Sequence, residues 1–242
     1  MPAITDAAGA VLSHRLMKFY ALEPPEQRYS SYAVYGSTDG EDSYPRALLT
    51  PGKHIGRGFI KCPVNPGHNR GIPYDGELFV DLAGPLVGDF HWRSAGDCLV
   101  TEKTRIVLEE EGLTGFEVRR VHVRDFQGIQ RDNTPLLWQL GTTGNAGRAD
   151  SQSGIDVVIW CPVCELLAYS SYRNGIWVNE QAWNGSDFTK VTEYPGIILV
   201  TERVRNVIER HRFTNCLLIE STDLRWPEGL RRPEDVYGAE NS

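Results

Sequence analysis

The sequence has no long apolar stretch and little positive charge, and each absence argues against a class of protein. No run of about eighteen apolar residues occurs, and the first residues lack the basic flank and unbroken apolar core of a secretory signal. Lys and Arg number 25 against 32 Asp and Glu, which gives a formal net charge of −7. Broad binding to a phosphate backbone needs clustered cations. We therefore expect a cytoplasmic protein without membrane or nucleic-acid partners, and a basic protein as the partner.

The sequence also lacks the short motifs that mark common catalytic sites. It contains no G-x-S-x-G, no H-E-x-x-H and no H-x-E followed by P-C-x-x-C. The glycine-rich stretch at residues 141–154 does not end in Gly-Lys-Ser/Thr and is therefore no phosphate loop. We expect no catalytic residues and a protein that acts by binding. The alternative is a small-molecule-modifying enzyme that uses no recognised motif.

Five cysteines are present, and two of them belong to the motif Cys-Pro-Val-Cys at residues 161–164. Two thiols three positions apart in a proline-containing turn can hold one metal ion. A related motif, Cys-Pro-Val-Asn, begins at Cys62, and His68 follows it. Zinc favours thiolate and imidazole ligands in a closed tetrahedron when its role is structural. Four side chains are therefore candidate ligands of one structural Zn²⁺: Cys62, His68, Cys161 and Cys164.

Other interpretations of these residues stay open at the level of sequence. A C-x-x-C pair can be a redox centre when it opens a helix in a βαβ unit, but Glu-Leu-Leu-Ala-Tyr follows Cys164. The thiols can also be inert, and a loop histidine such as His68 is often only solvated. The site would then be degenerate and empty. Cys98 and Cys216 precede or lie within apolar stretches, as buried structural thiols do.

Three landmarks of the first half of the chain recur in the same order in the second half. Cys-Pro-Val recurs after 99 positions, Asp-Phe after 98, and Leu-Val-Thr-Glu after 100. These three offsets are nearly equal, which indicates an internal duplication. We interpret the two stretches as copies of one module. The paired landmarks begin at Cys62 and Cys161, Asp89 and Asp187, and Leu99 and Leu199.

Each copy is predicted to contain a Cys-Pro turn that can hold a metal, which we call a knuckle, followed by strands, one capped helix and a further strand. Thr101 and Thr201 each precede a glutamate and can cap a helix by accepting a hydrogen bond from a free backbone N–H. Apolar residues at helical spacing follow, and Gly112 is placed to end the first helix. Strands are predicted at residues 17–22, 116–123 and 216–219. The fold class is therefore α+β, with two pseudo-repeated β-rich modules bridged by a zinc knuckle site.

Composition suggests the boundaries of these modules. Residues 1–16 carry few large apolar groups, which indicates a flexible N-terminal tail. The first module is placed at residues 17–134 and the second at residues 135–220, and the two are expected to pack as one globular unit. Residues 221–242 contain prolines and alternating charges and are predicted to form a flexible C-terminal tail. The stretch at residues 141–154 is expected to be a mobile loop.

The order of these motifs resembles that of a known protein family. A Met-Lys-Phe-Tyr strand, two Cys-Pro knuckles and the closing segment VTERVRNVIERHRFTNCLLIE make residues 17–220 similar to the double-CxxCG proteins. These proteins are abundant as paralogues in myxobacteria, and some resemble immunity proteins paired with toxins that are delivered between neighbouring cells. The resemblance implies that Cys62, Cys161 and Cys164 bind zinc. It also implies that the chain neutralises a cognate toxin by direct binding.

Two positions depart from the family pattern. Asn65 stands where the first knuckle would carry its second cysteine, and Glu165 stands where a glycine would follow the second knuckle. A site of four cysteines cannot therefore be carried over from the family to this chain. We expect His68 to act as the substitute ligand.

Overall fold

A computed structural model of the 242-residue chain describes residues 17–25, 32–34, 59–65, 68–71, 78–83, 88–94, 97–127 and 136–237. Strands predominate in these ranges and helices are few, which confirms the predicted α+β class. The predicted N-terminal tail at residues 1–16 lies outside them. No helix in the described ranges has the length and apolar character needed to cross a membrane.

The strands in chain order are β1 (Phe19–Glu23), β2 (Tyr32–Val34), β3 (Phe59–Lys61), β4 (Asn69–Gly71), β5 (Leu78–Ala83), β6 (Phe90–Ser94), β7 (Asp97–Thr101), β8 (Phe116–Gln127), β9 (Leu137–Thr142), β10 (Val157–Trp160), β11 (Leu167–Tyr169), β12 (Phe188–Thr189), β13 (Ile198–Thr201) and β14 (Leu217–Glu220). The α-helices are α1 (Glu102–Glu110), α2 (Glu202–His211) and α3 (Pro233–Tyr237). Each strand predicted from the sequence overlaps an observed strand.

Two larger sheets and two hairpins make up the β structure. Six strands close a barrel in the order β2-β5-β8-β9-β7-β6. Four strands form an open sheet in the order β12-β13-β1-β14. The pairs β3-β4 and β10-β11 form separate two-stranded sheets. These hairpins matter for function because they carry the cysteine motifs.

Strands β1 and β9 occupy matching places in the two larger sheets. Strand β9 lies between β7 and β8, and its Leu137 pairs with Thr101. Strand β1 lies between β13 and β14, and its Phe19 pairs with Thr201. The strand at the start of each predicted module therefore completes the sheet of the other module. The predicted boundary near residue 135 separates the modules in sequence but does not separate them in space.

Helices α1 and α2 begin at corresponding threonines but in different ways. The Oγ1 atom of Thr101 accepts a hydrogen bond from the Thr104 backbone N–H at 3.3 Å, which confirms the predicted cap. Thr201 makes no such cap, and the prediction for α2 is wrong in this respect. Its hydroxyl instead donates to the Asp187 carboxylate at 3.0 Å. The hydrogen bond to a charged acceptor is stronger than one from a neutral backbone N–H, so the carboxylate decides how the Thr201 side chain is oriented.

The two helices also end alike. Gly112, two residues after the end of α1, has a φ of 61°, and Arg212, directly after α2, has a φ of 52°. The chain therefore leaves both helices through a residue in the left-handed conformation. Along residues 101–118 and 201–218 the degree of burial matches at each position except Glu102 with Glu202 and Val107 with Val207. The offset of 100 read from the sequence is therefore also an offset of local structure.

Strand β1 is covered on both faces. Tyr20 and Leu22 belong to the apolar core that contains both helices, whereas Ala21 belongs to a second core. This second core includes Tyr172, and Trp226 packs against it. Successive side chains of a strand point to opposite faces. The sheet that contains β1 therefore separates two apolar cores.

Segments that the sequence indicated as mobile contact the body of the protein. In the loop after β9, Ala146 is fully buried and its backbone N–H donates to the Lys190 carbonyl at 2.9 Å. Near the C-terminus, the Glu234 carboxylate accepts hydrogen bonds from the backbone N–H and hydroxyl of Ser171 at 2.8 and 2.6 Å. Ala146 and the Glu234 carboxylate thus tie these segments to the body of the protein at single points, while residues 238–242 lie outside the described ranges.

Candidate metal centre

Both cysteine motifs lie at the turns of β-hairpins. Lys61 pairs with Asn69 at the end of the first hairpin, and Cys62 follows directly. Trp160 pairs with Leu167 at the end of the second, and Cys161 follows directly. A hairpin turn projects away from its paired strands, so its side chains can reach a neighbouring turn. Strand β10 thus leads directly into Cys161.

Backbone hydrogen bonds fix the shape of each turn. The N–H of Cys62 donates to the His68 carbonyl at 3.3 Å, and the N–H of His68 donates to the Asn65 carbonyl at 3.1 Å. In the second turn the N–H of Cys161 donates to the Leu166 carbonyl at 2.9 Å. These bonds define the backbone of each turn from which the ligand side chains project.

Glu165 adopts a conformation that usually belongs to glycine. Its φ is 57°, in the left-handed region where a side chain costs about 1–2 kcal/mol. The turn needs a positive φ directly after Cys164, a conformation that glycine adopts without steric cost. Glu165 provides it here with a side chain in place.

The four predicted ligands come together. Their ligand atoms all lie within 4.8 Å of one another. The Sγ atoms of Cys62 and Cys161 are 3.8 Å apart, and the Cys164 Sγ is 3.8 Å from Nδ1 of His68. In a tetrahedron with zinc–sulfur distances of about 2.3 Å, neighbouring sulfurs lie about 3.8 Å apart. The two separations match this value, and the four residues could hold one metal ion.

The cluster is closed to solvent. All four side chains are buried, and Leu166 packs against the three cysteines. Catalytic zinc sites keep one coordination position for water or substrate, whereas structural sites use four protein ligands. Three thiolates and one imidazole would fill the tetrahedron completely. The arrangement suits a metal that links two hairpins and binds no substrate.

The two thiols of the second knuckle are held differently. Hydrogen bonds from the backbone, first that of Cys164, lower the pKa of the Cys161 thiol to about 6. Burial raises the pKa of the Cys164 thiol. A thiolate at Cys161 is therefore favoured near neutral pH, and the thiolate is the form that binds a metal. The same burial favours the neutral form of the Cys164 thiol.

The other cysteines take no part in this cluster. Cys98 is fully buried in the apolar core, and Cys216 is partly buried beside the same core. Burial raises the pKa of the Cys216 thiol to about 12, which keeps it neutral. Both match their interpretation as structural thiols. All five cysteines are free of disulfides.

Sequence reasoning missed the surface around the cluster. Four apolar side chains next to the ligands are strongly exposed: Val64 at 67%, Trp160 at 56%, Val163 at 53% and Leu167 at 41%. The repeated Cys-Pro-Val motif is the sequence signal for the two valines, because it places one at each turn, and it gives no signal for Trp160 or Leu167. We call these four residues the knuckle surface.

Comparison with known proteins adds no family to this geometry. No protein-family model matches the chain, and no curated protein matches it.

Proposed function

We propose that this chain is a cytoplasmic, zinc-stabilised immunity protein that neutralises a cognate bacterial toxin by direct binding. The observation that carries the proposal is the closed Cys62, His68, Cys161 and Cys164 cluster, whose spacing suits tetrahedral zinc. A structural metal fixes a surface and performs no chemistry. The order of the knuckles and the resemblance to the double-CxxCG proteins support the immunity role.

Zinc is favoured over other metals by the chemistry of the ligands. Three sulfurs and one imidazole nitrogen suit zinc and offer no oxygen for calcium or magnesium. When bound, the ion would hold the turns of the two hairpins together. Its binding free energy would then contribute to folding, because the ligands are about 100 residues apart.

The finer architecture belongs to the same proposal. We infer two copies of one module that exchange strands β1 and β9, so that each sheet contains a strand from the other copy. The matching burial along α1 and α2 and the matching positions of β1 and β9 support this inference. The zinc then bridges the two copies through their hairpins.

The knuckle surface is the proposed site of toxin contact. Large exposed apolar side chains cluster there, and patches of this kind mark protein interaction sites. Trp160 is the expected anchor, because tryptophan is enriched among the residues that dominate binding free energy. The net charge of −7 favours a basic toxin.

The competing function is a small-molecule-modifying enzyme with a site between the modules. A concavity of about 590 Å³ does lie beside α2. Two of its carboxylates, Glu111 and Asp187, are paired with Arg210 and Arg203. Paired carboxylates are poor general bases, since a neighbouring cation stabilises the charged form. The closed metal site and these ion pairs favour binding over catalysis.

Co-expression with the toxic product of the neighbouring gene tests the proposal. The wild-type chain should restore growth, and Trp160→Ser should lose that protection while it still binds one zinc and unfolds at the same temperature. Trp177→Ser, at a partly buried tryptophan away from the knuckles, is the matched control. Protection that survives a combined Val64, Trp160 and Val163 substitution would exclude the knuckle surface as the binding site.

A further inference from the structure

A concavity of about 590 Å³ lies between the start of β1 and one side of α2. Arg203, Asn206 and Arg210 line it from α2, where their spacing of three and four residues places them on one face. Lys18, directly before β1, and Trp183 line it as well. Segments far apart in sequence thus bring three cations and an aromatic ring to one place.

Each cation forms an ion pair within the protein and remains partly exposed. Arg203 donates to Asp187 at 2.9 Å and also to the Glu111 backbone carbonyl, Arg210 pairs with Glu111, and Lys18 pairs with Glu220 at 2.8 Å. The exposed fractions of the three side chains are 52%, 55% and 43%. A guanidinium carries five N–H donors and an ammonium three. The ion pairs therefore orient the cations and leave further donors for a ligand.

The corresponding surface beside α1 has a different chemistry. Strand register aligns Lys18 with Leu136, because the residues that follow them pair with Thr201 and Thr101. On the helices, Asn206 corresponds to Ile106 and Arg210 to Glu110. Leu136 and Ile106 are exposed apolar residues at 49% and 38%. The α2 site has thus exchanged two apolar groups and one acid for hydrogen-bonding and cationic groups.

The carboxylates of the concavity limit what can bind there. Glu111 and Asp187 are neutralised by the two arginines, while Glu202 lies exposed at the start of α2. The three cations of the lining are thus balanced by three carboxylates, and the lining carries no net charge. A polyanion would meet Glu202, whereas a ligand with a single negative charge can reach the cations and avoid it.

We propose that this concavity binds a small organic carboxylate with a flat apolar part. The carboxylate accepts hydrogen bonds from Arg210, Lys18 and the Asn206 amide. The apolar part lies against Trp183, whose indole N–H already donates to the Ser186 carbonyl at 3.0 Å and so presents a fixed ring. The volume suits a small molecule, since ligand pockets span about 300–1,000 Å³.

Titration of the full-length protein with phenylacetate, followed by NMR and calorimetry, tests the proposal. Saturable binding with a dissociation constant in roughly the millimolar range is expected, with shifts at the Trp183 indole. Phenylacetamide has the same shape without the charge and should bind at least about tenfold more weakly, because it loses charge-assisted hydrogen bonds. Inorganic phosphate should bind more weakly than phenylacetate, because it has no apolar part and more charge.

Variants that give α2 the residues of α1 supply the matched test. Lys18→Leu with Arg210→Glu should abolish phenylacetate binding, and Arg210→Gln alone should weaken it about tenfold. Leu136→Lys with Ile106→Asn alters the α1 surface and should leave binding unchanged. All four side chains are exposed or partly exposed, so folding should survive. Equal binding of phenylacetate and phenylacetamide, unaltered binding by Arg210→Gln, or no saturable binding would overturn the proposal.

Discussion

The Nε2 atom of His211 lies 3.3 Å from the Glu111 carboxylate, and the two residues stand 100 positions apart at the ends of α2 and α1. Contacts on either side of this pair are reciprocal. Asp187 accepts from the backbone N–H and hydroxyl of Thr114 at 3.0 and 3.1 Å. Asp89 accepts from the same two groups of Thr214 at 2.8 and 2.9 Å. This reciprocity supports the proposed duplication, with a local two-fold relation between the copies.

Removing the metal should destabilise the fold before it affects anything else. The purified protein should contain one zinc per chain, and Cys161→Ser should lower the unfolding midpoint. A link that closes a loop of about 100 residues is worth about 4.7 kcal/mol in the chain-entropy treatment, which corresponds to roughly 10–20 °C. Elemental analysis and thermal unfolding, with and without a chelator, measure both quantities.

Cys216→Ser is the control for this experiment, because Cys216 is a cysteine outside the cluster. Its midpoint should keep the wild-type response to a chelator. Toxin protection by Cys161→Ser should fall only in proportion to the folded protein that is lost. A well-folded Cys161→Ser chain that has lost its function would contradict a purely structural role for the metal.

Replacing Glu165 by glycine should stabilise the protein by about 0.5–1 kcal/mol. Glycine relieves the strain of a φ of 57° but adds some freedom to the unfolded chain. Glu165→Ala keeps the strain and should bring no such gain. Urea unfolding of the zinc-loaded protein compares the two variants, and equal midpoints would show that the strain at this position is negligible.

The stability costs of replacing Thr101 and Thr201 by alanine should depend differently on a second substitution, Asp187→Asn. Thr101→Ala should cost about 1 kcal/mol through the lost helix cap. Thr201→Ala should cost about 1–3 kcal/mol, because Asp187 loses a charge-assisted hydrogen bond. In the Asp187→Asn background the cost of Thr201→Ala should shrink, while that of Thr101→Ala should stay unchanged. Additive costs at Thr201 and Asp187 would mean that their hydrogen bond contributes nothing to stability.

Stability should fall in acid partly because of His91. Burial lowers the pKa of this histidine to about 4, from 6.5 in the unfolded chain. Between these two values the unfolded chain binds a proton that the folded chain does not, so stability decreases as the pH falls from about 6.5 to about 4. His91→Gln should reduce the acid dependence in this window by about one proton. The free energy of unfolding of the variant and of the wild type, measured across this pH range, gives this number of protons from the difference between the two slopes.

Glu23 should act in the opposite direction. Burial raises the pKa of its carboxyl to about 7, from 4.5 in the unfolded chain. Between these two values the unfolded chain has lost the proton of this carboxyl, whereas the folded chain still holds it. Stability should therefore decrease as the pH rises from about 4.5 to about 7. Glu23→Gln should stabilise the protein above pH 7 and have little effect below pH 4.5. An equal effect at both ends of the range would exclude ionisation as the cause.

The sequence by itself determined the elements whose signals are local. The Cys-Pro turns, Thr101 at the start of α1 and Gly112 after its end could all be read from a few neighbouring residues, because turns and caps depend on short-range hydrogen bonds. The four candidate ligands could be named for the same reason, since sulfur and imidazole chemistry does not depend on the fold. Their convergence was an expectation based on repeat order.

Only the tertiary structure decided which strands pair. A strand such as β1 has the same pattern whichever sheet accepts it, so its place between β13 and β14 could not be read from residues 17–22. The diversion of the Thr201 hydroxyl to Asp187 depends on a residue 14 positions away that competes with the local cap. The concavity beside α2 likewise gathers Lys18 and Arg210 from opposite ends of the chain. Local sequence fixes short-range geometry, whereas long-range pairing depends on the burial that only the complete fold provides.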